Sequence, residues 1–186
     1  KLLFIDAHLN RLYDGAKELE IDIGCTKKEL KEKIFYTLQA NNMTHGVHIR
    51  LIVSRGLKKT PYQHPNANVT NSSIVIIPEY KVVNKKLPNS GISLVSVKTR
   101  RGTQYTQNPK LNTLSKLNCI AACLEAKNKD ADEAIMLDIN GNVATCNSTN
   151  FFIVKNNEIW TSTGKYCLPG ITRQAIINIC KENNLK

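Results

Sequence analysis

The chain has 186 residues, 41% of them hydrophobic and 22% charged, enough for one large domain or two small ones with a real core. Its formal net charge of +11 invites an anionic partner, but the excess is dispersed lysine with short pairs such as Lys58-Lys59 and Lys85-Lys86. No nucleic-acid-binding motif accompanies it, and charge alone bears on solubility and association rather than on fold.

No apolar run reaches membrane-spanning length and no signal-peptide pattern opens the given sequence. The six cysteines lack a C-x-x-C pair and a histidine at ligand spacing, which argues against a metal site and for reduced thiols in a cytoplasmic protein. The sequence begins inside an apolar run without an initiator Met and stops just after a helical pattern, as a fragment would.

Asp6 is placed to cap a first helix, in which Leu9, Leu12, Ala16 and Leu19 form one apolar stripe. Thr26-Lys-Lys-Glu29 is a capping box for a second helix carrying Leu30, Ile34 and Leu38, with Asn41-Asn42 at its end. Residues 47–53 read as a strand broken by Gly56, residues 57–71 as a loop, and residues 73–77 as a short buried strand bounded by Pro78. The composition of residues 84–91 is that of a linker, which sets a small domain at 1–84, a linker at 85–91 and a larger domain at 92–186.

In the second part a strand is expected at 92–97, a helix at about 113–129 and a strand at 133–138. Asn140-Gly141 predicts a type I′ hairpin turn, since that turn needs φ > 0 at both central residues. A second hairpin spans Asn156-Asn157, and Pro169-Gly170 precedes a final helix with Ile176, Ile177 and Cys180. The order α-α-β-β, linker, β-α-β-β-β-β-α is an α+β layout in two parts.

Several blocks carry more than periodicity. Pro109-Lys-Leu-Asn-Thr-Leu-Ser-Lys-Leu-Asn-Cys-Ile120 leads to Leu124-Glu-Ala126, then Asp132-Glu-Ala-Ile-Met-Leu-Asp138, Gly141-Asn-Val143, Ser148-Thr-Asn-Phe-Phe152 and Leu168-Pro-Gly-Ile-Thr-Arg173. His8-Leu-Asn-Arg-Leu-Tyr13 and the stretch from Arg50 to Gly56 agree with them. Together these closely resemble the class IV aminotransferases, the fold-type IV pyridoxal-phosphate enzymes. That family includes branched-chain aminotransferases, D-amino-acid aminotransferases and aminodeoxychorismate lyases. The resemblance covers nearly the whole chain. It implies a fold incomplete at both ends, a homodimer, pyridoxal 5'-phosphate as cofactor, and amino acids and 2-oxo acids as substrates.

The resemblance also implies roles. Arg11 falls on the phosphate-binding arginine, and a guanidinium suits phosphate through paired donors. Gly170, Ile171 and Thr172 fall on the loop whose amides meet the phosphate at a helix N-terminus, with capping by Thr172 as the plainer alternative. Ser148, Thr149 and Asn150 fall under the cofactor ring, or else form an ordinary turn between strands. Arg101 and His64 are candidates for a substrate carboxylate.

Two positions depart from the pattern. The family's lysine lies about thirteen residues before the Glu-Ala pair, which here is Glu125-Ala126, and that position is Asn112. An amide can neither link covalently to an aldehyde nor shuttle a proton. Lys116, four residues on, is the fallback amine. The family's glutamate, five residues before the asparagine, is here Thr145, whose hydroxyl supplies no charge to the ring nitrogen. Three expectations stand: a pyridoxal-phosphate aminotransferase of branched-chain or D-amino-acid type, or a related lyase; a non-catalytic or ligand-binding relative in which the cofactor is non-covalent or absent; and, ranked last, a basic nucleic-acid-binding protein.

Overall fold

The computed structural model describes residues 1–82 and 90–186, and the chain divides into two compact units, Lys1–Asn84 and Lys85–Lys186. Most of the expected linker at 85–91 lies outside the described residues.

The first unit begins with α1 (Ile5–Glu18) and α2 (Lys27–Ala40). Leu9 and Ala16 of α1 and Leu30 and Ile34 of α2 are buried, and with Ile23 they form its core. Burying each of these larger side chains favours folding by roughly 1.5–3 kcal/mol. The capping box at the start of α2 is present: the Thr26 hydroxyl accepts from Glu29 N–H at 3.2 Å, and Glu29 Oε2 accepts from Thr26 N–H at 2.7 Å. Donation from the Thr26 N–H first, and from its hydroxyl second, holds the Glu29 carboxyl below its ordinary range.

Asp6 does not cap α1. The N-cap is Phe4, with φ 52°, and Asp6 sits in the first turn, where its carboxylate meets Lys31 Nζ at 3.1 Å. An acidic side chain there still complements the positive end of the helix dipole.

Strands β1 (Val47–Ser54) and β2 (Ser73–Tyr80) pair antiparallel, with Leu51 opposite Ile76. Ile49, Leu51, Val53, Ile74 and Ile76 pack against the helical core. The second strand is longer than expected and runs through Pro78, which faces Ile49. A proline removes a donor, but each strand of a two-stranded sheet has one side outside the ladder, where that loss costs no pairing. The stretch 57–71 is more ordered than a plain loop, with a single bridge between Lys58 and Asn68 and a short 3₁₀ turn, Pro65–Ala67.

The second unit opens with β3 (Leu94–Ser96), then α3 (Leu117–Lys127), β4 (Glu133–Leu137) and β5 (Val143–Cys146). β3 runs parallel to β4, and β5 antiparallel to it. Val97, Ala122, Ala126, Ala134 and Met136 form the core. Alanines on both faces let the helix lie close to the sheet. The helix is shorter than the expected 113–129, and Lys116 is its N-cap rather than a residue within it.

The turn at Asn140-Gly141 is not type I′, because Gly141 has φ 85° while Asn140 is not among the positive-φ residues. The Asp138 carboxylate accepts from Asn140 N–H at 2.8 Å and from Asn142 N–H at 2.9 Å, which imposes a longer loop and a register shift at Met136/Leu137. The type I′ geometry occurs in the next hairpin, between β6 (Phe152–Lys155) and β7 (Glu158–Thr161), where Asn156 and Asn157 have φ 50° and 62°. The chain closes with α4 (Ile171–Glu182).

Candidate cofactor site

Three stretches of the second unit carry most of the residues singled out above. The first joins β5 to β6. Thr145 is buried, and its hydroxyl donates to the Thr149 carbonyl at 2.6 Å, which also takes the Cys146 N–H at 3.0 Å. With its proton committed there, the Thr145 oxygen presents lone pairs only, so it can accept from a protonated ring nitrogen but does not donate to an unprotonated one.

Glu133, at the start of β4, takes the Ser148 hydroxyl at 2.8 Å and the Thr149 hydroxyl at 3.0 Å on one carboxylate oxygen. Both hydroxyls are therefore structural pegs of the turn. Asn150 points the other way, its Nδ2 donating to the Leu168 carbonyl at 3.3 Å and to Cys167 Sγ at 3.6 Å.

The second stretch is the start of α4. Its N-cap is Gly170, and no side chain caps the helix, so Thr172 does not act as the cap. The first-turn amides of a helix have no acceptor inside it, and the dipole places partial positive charge there. A Cβ on Gly170 would lie 2.0 Å from Asn150 Oδ1. A larger residue at 170 would push the Asn150 amide from its place beside the start of α4. Uncapped amides over a glycine cradle fit a phosphate group.

The third stretch runs from the end of β3 to α3. Arg101 is half-buried, donating from Nε to the Tyr166 carbonyl at 3.2 Å and from Nη1 to Cys119 Sγ at 3.0 Å. Two of its donors are spent on fixing its plane. Glu125 takes Lys98 N–H at 2.7 Å, Thr99 N–H at 2.9 Å and the Thr99 hydroxyl at 2.5 Å, and these bonds, the Thr99 hydroxyl first, hold its carboxyl below the ordinary range.

Asn112 and Lys116 sit in a loop closed by Gln107, which donates to the Ser115 carbonyl at 3.0 Å. Within it Lys116 Nζ donates to Asn112 Oδ1 at 3.2 Å. The chain therefore fits the phosphate of pyridoxal phosphate at α4 and offers no amine at residue 112 itself for the aldehyde.

In the first unit, Arg11 is half-buried on α1, and burial lowers its pKa from the ordinary value. One turn earlier, burial and the Arg11 charge hold the His8 imidazole below its usual range. His64 caps the 3₁₀ turn, its Nδ1 accepting from Asn66 N–H at 3.1 Å, and its ring stacks on Tyr62 with centroids 6.2 Å apart. That bond fixes the proton of neutral His64 on Nε2. A cleft of roughly 660 Å³ in this unit, lined by Cys25, Glu29, Lys33 and Tyr36 among others, includes neither Arg11 nor His64.

Sequence reading missed Glu133, Cys119 and Cys167. Their partners Ser148, Arg101 and Asn150 lie 15, 18 and 17 positions away, and no local spacing signals such contacts. Among the described residues no group of three or more His, Cys, Asp or Glu side chains could hold a metal, no helix is long and apolar enough to cross a membrane, and the six cysteines are free.

The family described as Amino-transferase class IV matches residues 1–186. Branched-chain-amino-acid aminotransferase-like protein 2 of Arabidopsis thaliana is 38% identical over 186 residues, 99% of this chain and 33% of the plant protein. D-alanine aminotransferase of Listeria monocytogenes is 28% identical over 192 residues, 100% of this chain and 63% of that protein. Among solved structures, a T.th. branched-chain amino acid aminotransferase with pyridoxamine 5'-phosphate matches with a TM-score of 0.89 at 26% identity, covering 98% of this chain and 59% of that one. The chain spans between one third and less than two thirds of the length of these relatives.

Proposed function

Since the chain belongs to the class IV aminotransferases, we propose that it binds pyridoxal 5'-phosphate and serves amino-group transfer between amino acids and 2-oxo acids of the branched-chain or D-amino-acid type. The observation that carries this reading is the start of α4, where amides with no side-chain cap follow a glycine that lies against the Asn150 side chain. The bound group would supply an aldehyde that condenses with amines and a ring that accepts the electrons released at Cα.

The chain's own residues bind and orient. In the second unit the Ile171 and Thr172 amides are the phosphate donors; in the first unit Arg11 is the guanidinium that the family resemblance assigns to phosphate. Asn150 shapes the turn under the ring, with Ser148 and Thr149 fixing that turn through Glu133. Thr145 accepts from a protonated ring nitrogen without holding it protonated by charge. Arg101, oriented by Tyr166 and Cys119, keeps its remaining nitrogen for a substrate carboxylate. His64 is the corresponding candidate in the first unit. A homodimer in the cytoplasm is the state in which we expect the protein to work.

A second reading, a non-catalytic relative that binds the cofactor reversibly, is favoured by Asn112 and by Thr145 in place of a carboxylate. Equilibrium dialysis with pyridoxal phosphate, followed by an assay of amino transfer to a 2-oxo acid, separates the readings. Saturable binding with turnover supports the first and binding without turnover the second. No saturable binding contradicts both.

A further inference from the structure

We propose that Arg173 supplies the positive charge against which the cofactor's phosphate is held at the start of α4, acting by its field rather than as one of the donating amides. This rests on the cofactor reading above and deepens it, by assigning the charge of that site to a residue that the family blocks left without a role.

Arg173 is the third residue of α4, directly after Ile171 and Thr172. A cation in the first turn of a helix stands at the positive end of the dipole, where it is ordinarily disfavoured. No acidic residue shares that turn, and residues 162–180 include Lys165 and Arg173 but neither Asp nor Glu. Among the described residues no carboxylate pairs with Arg173. Its charge is therefore left without a counter-charge in a place where only an anion offsets it.

The side chain is tied down rather than splayed into water. Nη2 donates to the Ser162 carbonyl at 2.6 Å. The guanidinium lies over Gly164, where an added Cβ would meet Nη1, Nη2 and Cζ at 3.8, 3.9 and 4.0 Å. Nε is shielded from solvent and has no hydrogen-bond partner. A guanidinium with a shielded, unmet donor is poorly solvated, and the less water surrounds a charge, the more strongly it acts on a nearby anion. The same residue borders the glycine cradle: a Cβ added at Gly170 would lie 3.3 Å from Arg173 Cβ.

Other titratable groups reach this loop. Arg101 donates from Nε to the Tyr166 carbonyl, Lys165 Nζ stands 5.2 Å from the Tyr166 ring centroid, and the buried Cys167 thiol touches both Asn150 and Ser162. Lys165 is exposed, so solvent screens it. Glu133, the carboxylate that fixes the turn before Asn150, is committed to the Ser148 and Thr149 hydroxyls. Arg173 is the cation within the helix turn itself.

The test compares dissociation constants of pyridoxal 5'-phosphate and pyridoxal in the unaltered chain, Arg173→Gln, Arg173→Lys and Lys165→Gln, with phosphorus NMR of the bound phosphate against pH. The unaltered chain should favour the phosphorylated compound by at least about tenfold. Arg173→Gln should lose most of that advantage, Arg173→Lys should keep most of it, and Lys165→Gln should change it little. A free phosphate ester becomes singly charged near pH ~6, and the bound one should stay doubly charged about one pH unit lower. Arg173→Gln should move that titration back toward the free value. An advantage unchanged in Arg173→Gln, an equal loss in Arg173→Lys, or a bound phosphate that titrates like the free one overturns the role of Arg173 and leaves the cofactor reading intact. If Arg173→Gln does not fold, the NMR titration of the unaltered chain and the Arg173→Lys comparison decide. Absence of saturable binding in the unaltered chain overturns both.

Discussion

The Lys116 amine hydrogen-bonds the Asn112 amide oxygen at 3.2 Å, across a loop closed by Gln107 and Ser115. The contact joins the position where the family resemblance places a lysine to the nearest downstream lysine. It yields a prediction independent of turnover. In Asn112→Lys the introduced amine stands where the family resemblance places the lysine, and an ammonium so close to that of Lys116 disfavours its charge. Incubation with pyridoxal phosphate and borohydride should place a phosphopyridoxyl mark on position 112, with a visible absorbance band before reduction that the unaltered chain lacks. A folded variant that binds the cofactor yet shows neither change would place the lysine register elsewhere.

Gly56 follows β1 with φ +89°, and a Cβ there would lie 2.1 Å from the Asn71 carbonyl oxygen. Left-handed strain and overpacking together predict that Gly56→Ala destabilises the first unit by roughly 2–5 kcal/mol. Denaturant unfolding followed by circular dichroism measures this, and a loss under about 1 kcal/mol would show that the Asn71 turn yields freely.

Glu125 joins α3 to the end of β3 through Lys98 and Thr99. Its folded carboxyl titrates below the ordinary value, chiefly because of the Thr99 hydroxyl. A depressed folded pKa contributes stability that is complete above the unfolded value, which for glutamate is about 4.3, and that fades as pH falls through the folded value. Asp132, held down by Ser93 N–H and hydroxyl, acts in the same direction. Thermal midpoints of the unaltered chain and Glu125→Gln should therefore differ at neutral pH and converge in acid. A constant gap down to the lowest pH measured would remove Glu125 from the acid response.

Local features were legible in the sequence and long-range ones were not. The Thr26–Glu29 capping box depends on neighbours three residues apart, which is the range over which patterns speak, whereas the strand at 73–77, expected as buried, alternates, with Ile74 and Ile76 on the helical core and Val75 and Ile77 exposed. The hairpin at Asn140-Gly141 was anticipated as a hairpin, but its turn type was not, because the Asp138 side chain captures two amides and lengthens the loop. The strand outran its expected end at Ile77, pairing through Pro78 opposite Ile49, because a two-stranded sheet leaves each strand one side on which a proline is tolerated. Arg101 was visible as a basic residue, but its partners Tyr166 and Cys119 are 65 and 18 positions away. Motif order pointed to Asn150 and Gly170 as separate blocks, and only the fold brings them within van der Waals reach.

We place the phosphate of the cofactor at the start of α4, and everything proposed for this chain depends on that placement. The direct measurement is a comparison of dissociation constants for pyridoxal 5'-phosphate and for pyridoxal, in the unaltered chain and in Gly170→Ala, with circular dichroism confirming that both fold. Charge-assisted bonds of roughly 1.5–3 kcal/mol predict that the phosphate tightens binding by at least about tenfold in the unaltered chain, and that Gly170→Ala erases most of that advantage. Equal affinity for the two compounds, or an advantage unchanged by Gly170→Ala, would contradict it.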